Sequence, residues 1–519
     1  MSEIPAKDYE ELQFGEVKES IAAYAGFSLG AQLVREARPM KNRLALEREL
    51  SRLKEAIAMT VSYGPAPFGG IHDISNYVQL AQKGGTLREE ELLAVADQAY
   101  GIEKLRKYVN DAKCEHQKIS DLTDSLSSCR KSADEISRAI SYDGTVNDNA
   151  SEKLRSLRRR IRTLDGTITS RLQQFISTNG NYLQDDIIAV RNDRRVVLVK
   201  NMYKNQVGGL QYGSSQSGNA AYMEPEVLVP LNNEMQQARY DEQEEVKRIL
   251  RNLTALVKND GDVLDANNQT LGILDSLFAR GQWAKEYDGT VGTLARDHYY
   301  LEKARHPLID RSKVIANSYH FENNQHIILI TGPNTGGKTV SLKVIGLFAL
   351  MFLSGLPLPC ELAEIPLFDD VYADIGDSQS ITDDLSTFSG HISKLSEICR
   401  GVTVNSLVVL DELGGATDPN EGQAIAGAIL EYLRSQGCYV VATTHYAKLK
   451  AYAREYDDIM ISAMEFDQFN LTPTYHYLEN SIGESYAIEI MKRYGIADSI
   501  IESAYRIKDA QLSDSDRLM

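Results

Sequence analysis

Cysteine is scarce in this 519-residue chain and shows no pattern: Cys114, Cys129, Cys360, Cys399 and Cys438 include no C-x-x-C pair. That argues against a disulfide framework or a thiolate zinc site and suits a reducing compartment. Long apolar runs are lacking too. The most apolar stretch, Val344 to Leu353, is about half the ~20 residues that a membrane span needs, so no membrane partner is expected. Met1 to Ala6 carries neither a basic flank nor an apolar run, so no secretory leader is expected and the chain reads as cytoplasmic. Net positive charge is also missing, the formal balance being −17. For nucleic-acid contact the distribution of charge matters more than its sum. Hydrophobic residues at 43% and charged ones at 25% are ordinary for a soluble protein. The length exceeds one core and implies roughly two to four domains. No internal repeat or low-complexity tract appears.

What is present is concentrated in the C-terminal half. Gly332 to Thr339 reads Gly-Pro-Asn-Thr-Gly-Gly-Lys-Thr, a loop whose backbone N–H groups cradle nucleotide phosphates. His326 to Ile330 before it reads as a buried strand, and Thr339 to Phe352 after it as an apolar helix whose N-terminus favours anions. Gly332, Pro333, Asn334, Thr335, Gly336, Gly337, Lys338, Thr339 and Val340 are therefore expected to bind ATP. Lys338 would reach the β- and γ-phosphates, and the Thr339 hydroxyl would hold Mg²⁺.

Two further strands bear on the chemistry. Ser406 to Leu410 is apolar and ends in Asp411-Glu412. An aspartate there is expected to serve Mg²⁺, and Glu412 is the candidate general base for the attacking water. Tyr439 to Thr444 leads to His445 at a carboxyl edge, where ligands sit in parallel sheets and where a histidine can sense the γ-phosphate.

Upstream, Tyr9 to about Asp111 has a helical pattern broken by Gly64 to Gly70, and 112–180 reads as long amphipathic helices. Lys153, Arg155, Arg158, Arg159, Arg160, Arg162 and Arg171 share a helical segment whose Leu154, Leu157, Ile161, Leu164 and Ile168 recur at helical spacing. One face is therefore buried and the rest is basic, open either to phosphates or to acidic neighbours. Within 181–225 the period becomes two, with strands at 187–191, 195–200 and 220–223 around a Gly/Ser-rich turn at 213–218. Polar helix resumes over 226–284.

The order of the nucleotide-site segments resembles the ABC-type ATPases, and the residues narrow the resemblance to the MutS superfamily. The matching stretches are Arg305 to Leu308, Thr331 to Thr339, Ala373 to Asp377, Ser386 to Ser389, Leu410 to Leu413, Ala442 to His445 and Gly483 to Ala487. Pro67 to Ile71, Arg191 to Arg194 and Ser406 to Leu413 look like the MutS-two branch. The fold so implied is multidomain α and α/β: a helical core and lever with a small β clamp, followed by an ABC-type P-loop ATPase domain. Its divisions are a core over 1–111, lever helices over 112–180, a β-rich clamp over 181–225, a returning lever over 226–293, and the ATPase domain with dimerisation helices over 294–519.

The resemblance also implies a homodimer sandwiching two ATP molecules, with Ser386 and Ser389 touching the other chain's γ-phosphate. Paired clamps would close on nucleic acid through Arg191, Arg194, Arg195, Lys200 and Lys204 without reading sequence. The target it suggests is a stalled or collided ribosome with its ribosomal RNA, or branched DNA in recombination control. A rival reading is a nucleotide-gated scaffold with little turnover. A structural-maintenance ABC protein does not fit, because only 67 residues separate Thr339 from Leu407. The superfamily's mismatch-reading N-terminal domain has no room here, and the C-terminal Smr domain usual in MutS-two proteins is not in this sequence, which is either a cut chain or a short family member; neither mismatch recognition nor nuclease activity is therefore expected of it. Two departures from MutS-two phrasing, Gly415-Ala416 and Gly390, remove no charge and are expected to tune turnover.

Overall fold

The structure, a computed structural model, describes residues 6–216, 218–321, 325–333, 336–376, 384–415, 418–467, 469–470, 472–483, 488, 491 and 495–517. Contacts divide the chain into two compact units. One comprises residues up to 68, 107–124 and 270 onward; the other comprises 69–106 and 125–269. The described residues are mixed helical and α/β, with three sheets among them.

The first unit is built around a six-stranded sheet. Its order is Asp370–Asp374, Ser406–Leu410, Tyr439–Thr443, Ile327–Thr331, Ile459–Asp467 and Thr472–Leu478. The first five strands are parallel and the last is antiparallel. The first four are buried at every residue, because helices cover both faces. Ile328, Ile330, Leu407, Val409 and Val441 pack with the helix Lys338–Leu353 on one face. Alternate residues Ile327, Leu329, Val408, Leu410 and Val440 pack on the other with Leu395, Leu430 and Leu449. A second sheet orders Thr293–Ala295, Leu362–Pro366, Tyr299–Ala304 and Asn317–Phe321.

N-terminal residues Leu12, Phe14, Val17 and Ile21 join the first of these cores. Next to them, the buried Asp275 carboxylate accepts N–H groups of Gly26 (2.7 Å) and Phe27 (3.2 Å), just before the helix Ser28–Arg35. Burial raises its pKa from 3.8 to about 6, with the two amides opposing. The folded chain therefore holds this proton more tightly than the unfolded chain does. Stability from the neutral carboxyl is complete below about pH 4 and is lost as pH rises through about 6. The expected difference is on the order of 3 kcal/mol. Thermal melts at pH 4 and 7 should show the wild type losing more stability than Asp275→Asn over that interval; parallel curves would refute this.

The second unit holds a helical core around Ile74, Leu92, Ile136, Leu154 and Val257. Beside it stands an antiparallel sheet in the order Leu183–Arg191, Arg194–Lys200, Ala220–Pro225 and Gly209–Ser214. Asn192 and Asp193, both at positive φ (48° and 57°), form its tight hairpin turn. Three features differ from the sequence reading. Gly209–Ser214 is a strand, though its glycines give little β signal. The interval 112–180 holds one long helix, Glu152–Asn179, after two short ones, Gln117–Ser125 and Arg130–Ala139. The polar helix breaks at Asp260, giving Val229–Asn259 and Gly261–Glu286, where Asn, Asp and Gly are consecutive poor helix formers. Among the described residues no helix is long and apolar enough to cross a membrane.

Candidate nucleotide site

The carboxyl ends of four parallel strands bring together most of the residues singled out above. Thr331 closes its strand with a buried hydroxyl that donates to the Ser462 carbonyl (2.9 Å) and accepts the Gly483 N–H (2.8 Å). The loop then turns through Gly332 (φ 123°), the Pro333 carbonyl accepts the Gly336 N–H (3.0 Å), and Gly337 (φ 94°) leads into the helix. These φ values favour glycine. Asn334 and Thr335 lie outside the described residues.

Lys338 is buried, and that burial pulls its pKa below the usual lysine value while Glu412 and Asp411 push it back up. The Thr339 hydroxyl donates to Asp411 Oδ2 (2.7 Å). Asp411 Oδ1 accepts the Thr443 hydroxyl (2.6 Å), and that hydroxyl accepts the Glu412 N–H (2.8 Å). One threonine therefore sets both acidic residues. Glu412 stands at φ 46°, a left-handed conformation that costs roughly 1–3 kcal/mol outside glycine. The Thr443 bond and a second from Gly415 N–H to the Glu412 carbonyl (2.8 Å) hold it there. His445 follows the strand Tyr439–Thr443, with its ring 4.2 Å from that of Tyr446. Desolvation lowers its pKa, as do Lys338 and Lys450, against Glu412, so the ring is neutral at pH 7. Hydroxyl, carboxylate and buried ammonium form a donor set that fits a Mg²⁺-bound triphosphate.

Beside the loop lies a cavity of about 310 Å³, lined by Gly337, Val340, Val314, Ile315, Met464 and Tyr475. Largely apolar walls next to a phosphate loop, with Lys313 and Asn317 among them, suit a flat nucleobase with polar edges. Tyr475 is itself at φ 61°, its carbonyl accepting from Asn317 Nδ2 (2.9 Å), and its ring would stand 3.1 Å from a Cβ on Gly337. Sequence reading missed Tyr475, since neither its φ nor its distant loop partner leaves a local signal. Tyr475→Ala is expected to raise the Kd for ATP about tenfold with little change in saturated turnover; titration with a fluorescent ATP analogue checks it.

Ser389 is exposed on the helix Asp384–Gly401; the Ser386 side chain and Ala416 lie outside the description. The candidate nucleic-acid contacts are far from uniform. Arg194 donates to both oxygens of the fully buried Glu224 (2.9 Å each) and to Gln236. Arg195 pairs with Asp165, and Lys200 donates to the Asn181 carbonyl (3.2 Å). Arg191 stacks 4.2 Å over Tyr222, and Lys204 is exposed. On the helix Glu152–Asn179, Lys153 pairs with Glu245, Arg158 with Asp148 and Glu242, Arg160 with Glu234 and Arg162 with Asp148, while Arg159 and Arg171 face solvent. Acidic neighbours thus take up much of the basic face.

A glycine-turned loop and two strand-end carboxylates on the edge of a parallel sheet define a MutS-type C-terminal domain: residues 328–512 match the profile of MutS domain V. The chain belongs to the MutS superfamily, in its MutS2 branch. It is 39% identical over 505 residues to "Endonuclease MutS2" of Clostridioides difficile, which covers 96% of the chain and 64% of that relative. The proteins of the same name from Geobacillus sp. (39% over 500 residues; 95% of the chain, 64% of the relative) and Bacillus velezensis (36% over 520 residues; 99% and 66%) are similar. In each case the chain spans under two thirds of the relative's length.

Proposed function

We propose that this chain is an ATP-hydrolysing dimeric clamp that grips and remodels a nucleic-acid-containing target. The observation that carries the reading is the convergence of Lys338, Thr339, Asp411 and Glu412 at one sheet edge, with Thr443 fixing both carboxylates. Thr339 and Asp411 would hold Mg²⁺, which would supply positive charge to offset that of the phosphates. Lys338 anchors the same phosphates from a buried position, where its charge acts with little screening. Glu412 accepts the proton of the attacking water, and neutral His445 orients toward the γ-phosphate as a hydrogen-bond partner. Helix Asp384–Gly401 of a second copy, through Ser386 and Ser389, completes the site, so ATP binding favours the dimer. Closure and release follow binding and hydrolysis.

Of the two targets, we favour the ribosome, on the resemblance to MutS-two proteins. ATPase rates with no ligand, with stalled ribosomes and with branched DNA, against Lys338→Ala as blank, test it. Stimulation by ribosomes alone supports the proposal, and stimulation by DNA alone moves the chain to recombination. A rate at the blank level throughout would leave a nucleotide-gated scaffold.

A further inference from the structure

The end of the strand Asp370–Asp374 and the helix Asp384–Gly401 meet in a charged cluster to which the nucleotide chemistry gives no role. His391 Nδ1 lies 3.0 and 3.1 Å from the two carboxylate oxygens of the buried Asp374, so the ring donates its Nδ1–H there. Lys394, three residues on, pairs with Glu11 and lies 4.0 Å from Asp374. Glu11 also accepts the Ile375 N–H (3.1 Å). The next residue is glycine for a reason: a Cβ on Gly376 would stand 3.0 Å from His391 Cε1.

The same aspartate reaches the nucleotide side. Its carbonyl accepts the Asp411 N–H (2.9 Å), and Asp411 is the carboxylate bonded to Thr339. A cavity of about 60 Å³ between them is lined by Asp374, His391, Asp411 and Glu412, room for a few waters. Two hydrogen bonds thus join the helix to the proposed Mg²⁺ ligand. Gly390, directly before His391, has nothing within 4 Å of a Cβ. A glycine inside a helix is its most yielding point, so the tie falls where the helix body begins behind its weakest link.

We propose that His391 is a positioning residue that ties the helix Asp384–Gly401 to the Asp374–Asp411 ledge, so that nucleotide on a chain's own loop sets the helix offered to its partner's nucleotide. This rests on the ATP reading above. The coupling needs the Nδ1–H, not the imidazole as such. His391→Asn retains a donor at that place, and His391→Leu removes it.

The test is hydrogen exchange of the helix with and without the β,γ-imido analogue of ATP, alongside the affinity of that analogue. In wild type and His391→Asn the analogue should slow exchange over 389–401 by roughly fivefold or more. In His391→Leu it should bind within about threefold of wild type but give no such protection, and turnover should fall about tenfold. Protection that persists in His391→Leu overturns the tie, as does its loss in His391→Asn. Loss of analogue binding in a folded His391→Leu would make the residue part of the nucleotide site and overturns it too. Failure of wild type to bind the analogue is a different result: it removes the ATP reading itself.

Discussion

Glu412→Gln should lower steady-state ATP hydrolysis by about 10²–10⁴-fold while leaving ATP binding within a few-fold of wild type. The split follows from the geometry. Glutamine keeps the size of the side chain, and the backbone bonds that fix residue 412 run from its N–H to Thr443 and from Gly415 to its carbonyl, so neither is lost. What disappears is the lone pair that takes the proton. Without turnover, an ATP-bound dimer should accumulate, visible as a nucleotide-dependent shift in light scattering. A variant that hydrolyses within twofold of wild type would exclude Glu412 as base, and an unchanged oligomeric state with ATP would favour the scaffold. Removing the carboxylate also relieves charge beside Lys338, whose pKa Glu412 raises, so nucleotide affinity should if anything increase.

Gly483→Ala should weaken ATP binding by about 10²-fold, although residue 483 carries no side chain that could touch nucleotide. A Cβ at that position would lie 2.8 Å from both Cα and N of Gly332 and 3.0 Å from the carbonyl carbon of Thr331. All three are backbone atoms of the phosphate loop's first turn, so no side chain can rotate away. Gly483 is also held from both sides, its N–H by Thr331 and its carbonyl by Lys450 Nζ (2.8 Å). The extra carbon must therefore displace the loop, at a stability cost of roughly 1–3 kcal/mol. Calorimetric titration reads the affinity, and Lys450→Met separates loss of the tether from loss of space. Wild-type affinity in Gly483→Ala would mean that the loop accommodates the methyl group and that close approach is not required.

The strands carrying the site were legible because both faces are buried, which leaves unbroken runs such as Ser406 to Leu410. Once those runs are strands of a parallel sheet, the residues just past their ends are the candidates, and Thr339 and Asp411 do meet. Thr443 and His391 were visible as letters, but their roles depend on partners 32 and 17 positions away. The left-handed backbone of Glu412 and Tyr475 is invisible in composition, since neither residue type favours it. The partners of the hairpin basics were hidden for a related reason. Nothing local reveals that Arg194 turns to Glu224 thirty residues on, where a buried carboxylate without that arginine would be severely destabilising.

The way the chain threads its two units has a consequence for biosynthesis. Leu12 packs against the place where Gly346 stands, close enough that a Cβ there would be 2.8 Å from its Cδ2, and Phe14, Val17 and Ile21 belong to the same core. Val34, Leu46 and Leu50 of that core follow within forty residues, yet its other members, such as Ile345 and Phe348, emerge more than three hundred residues later. At roughly 5–20 residues per second that interval is tens of seconds. The unit spanning 69–106 and 125–269 is complete before the sheet at Ile327 begins. The segment 12–21 thus waits for the helix and sheet that complete its core while the middle of the protein folds, a natural client for a chaperone at the exit tunnel.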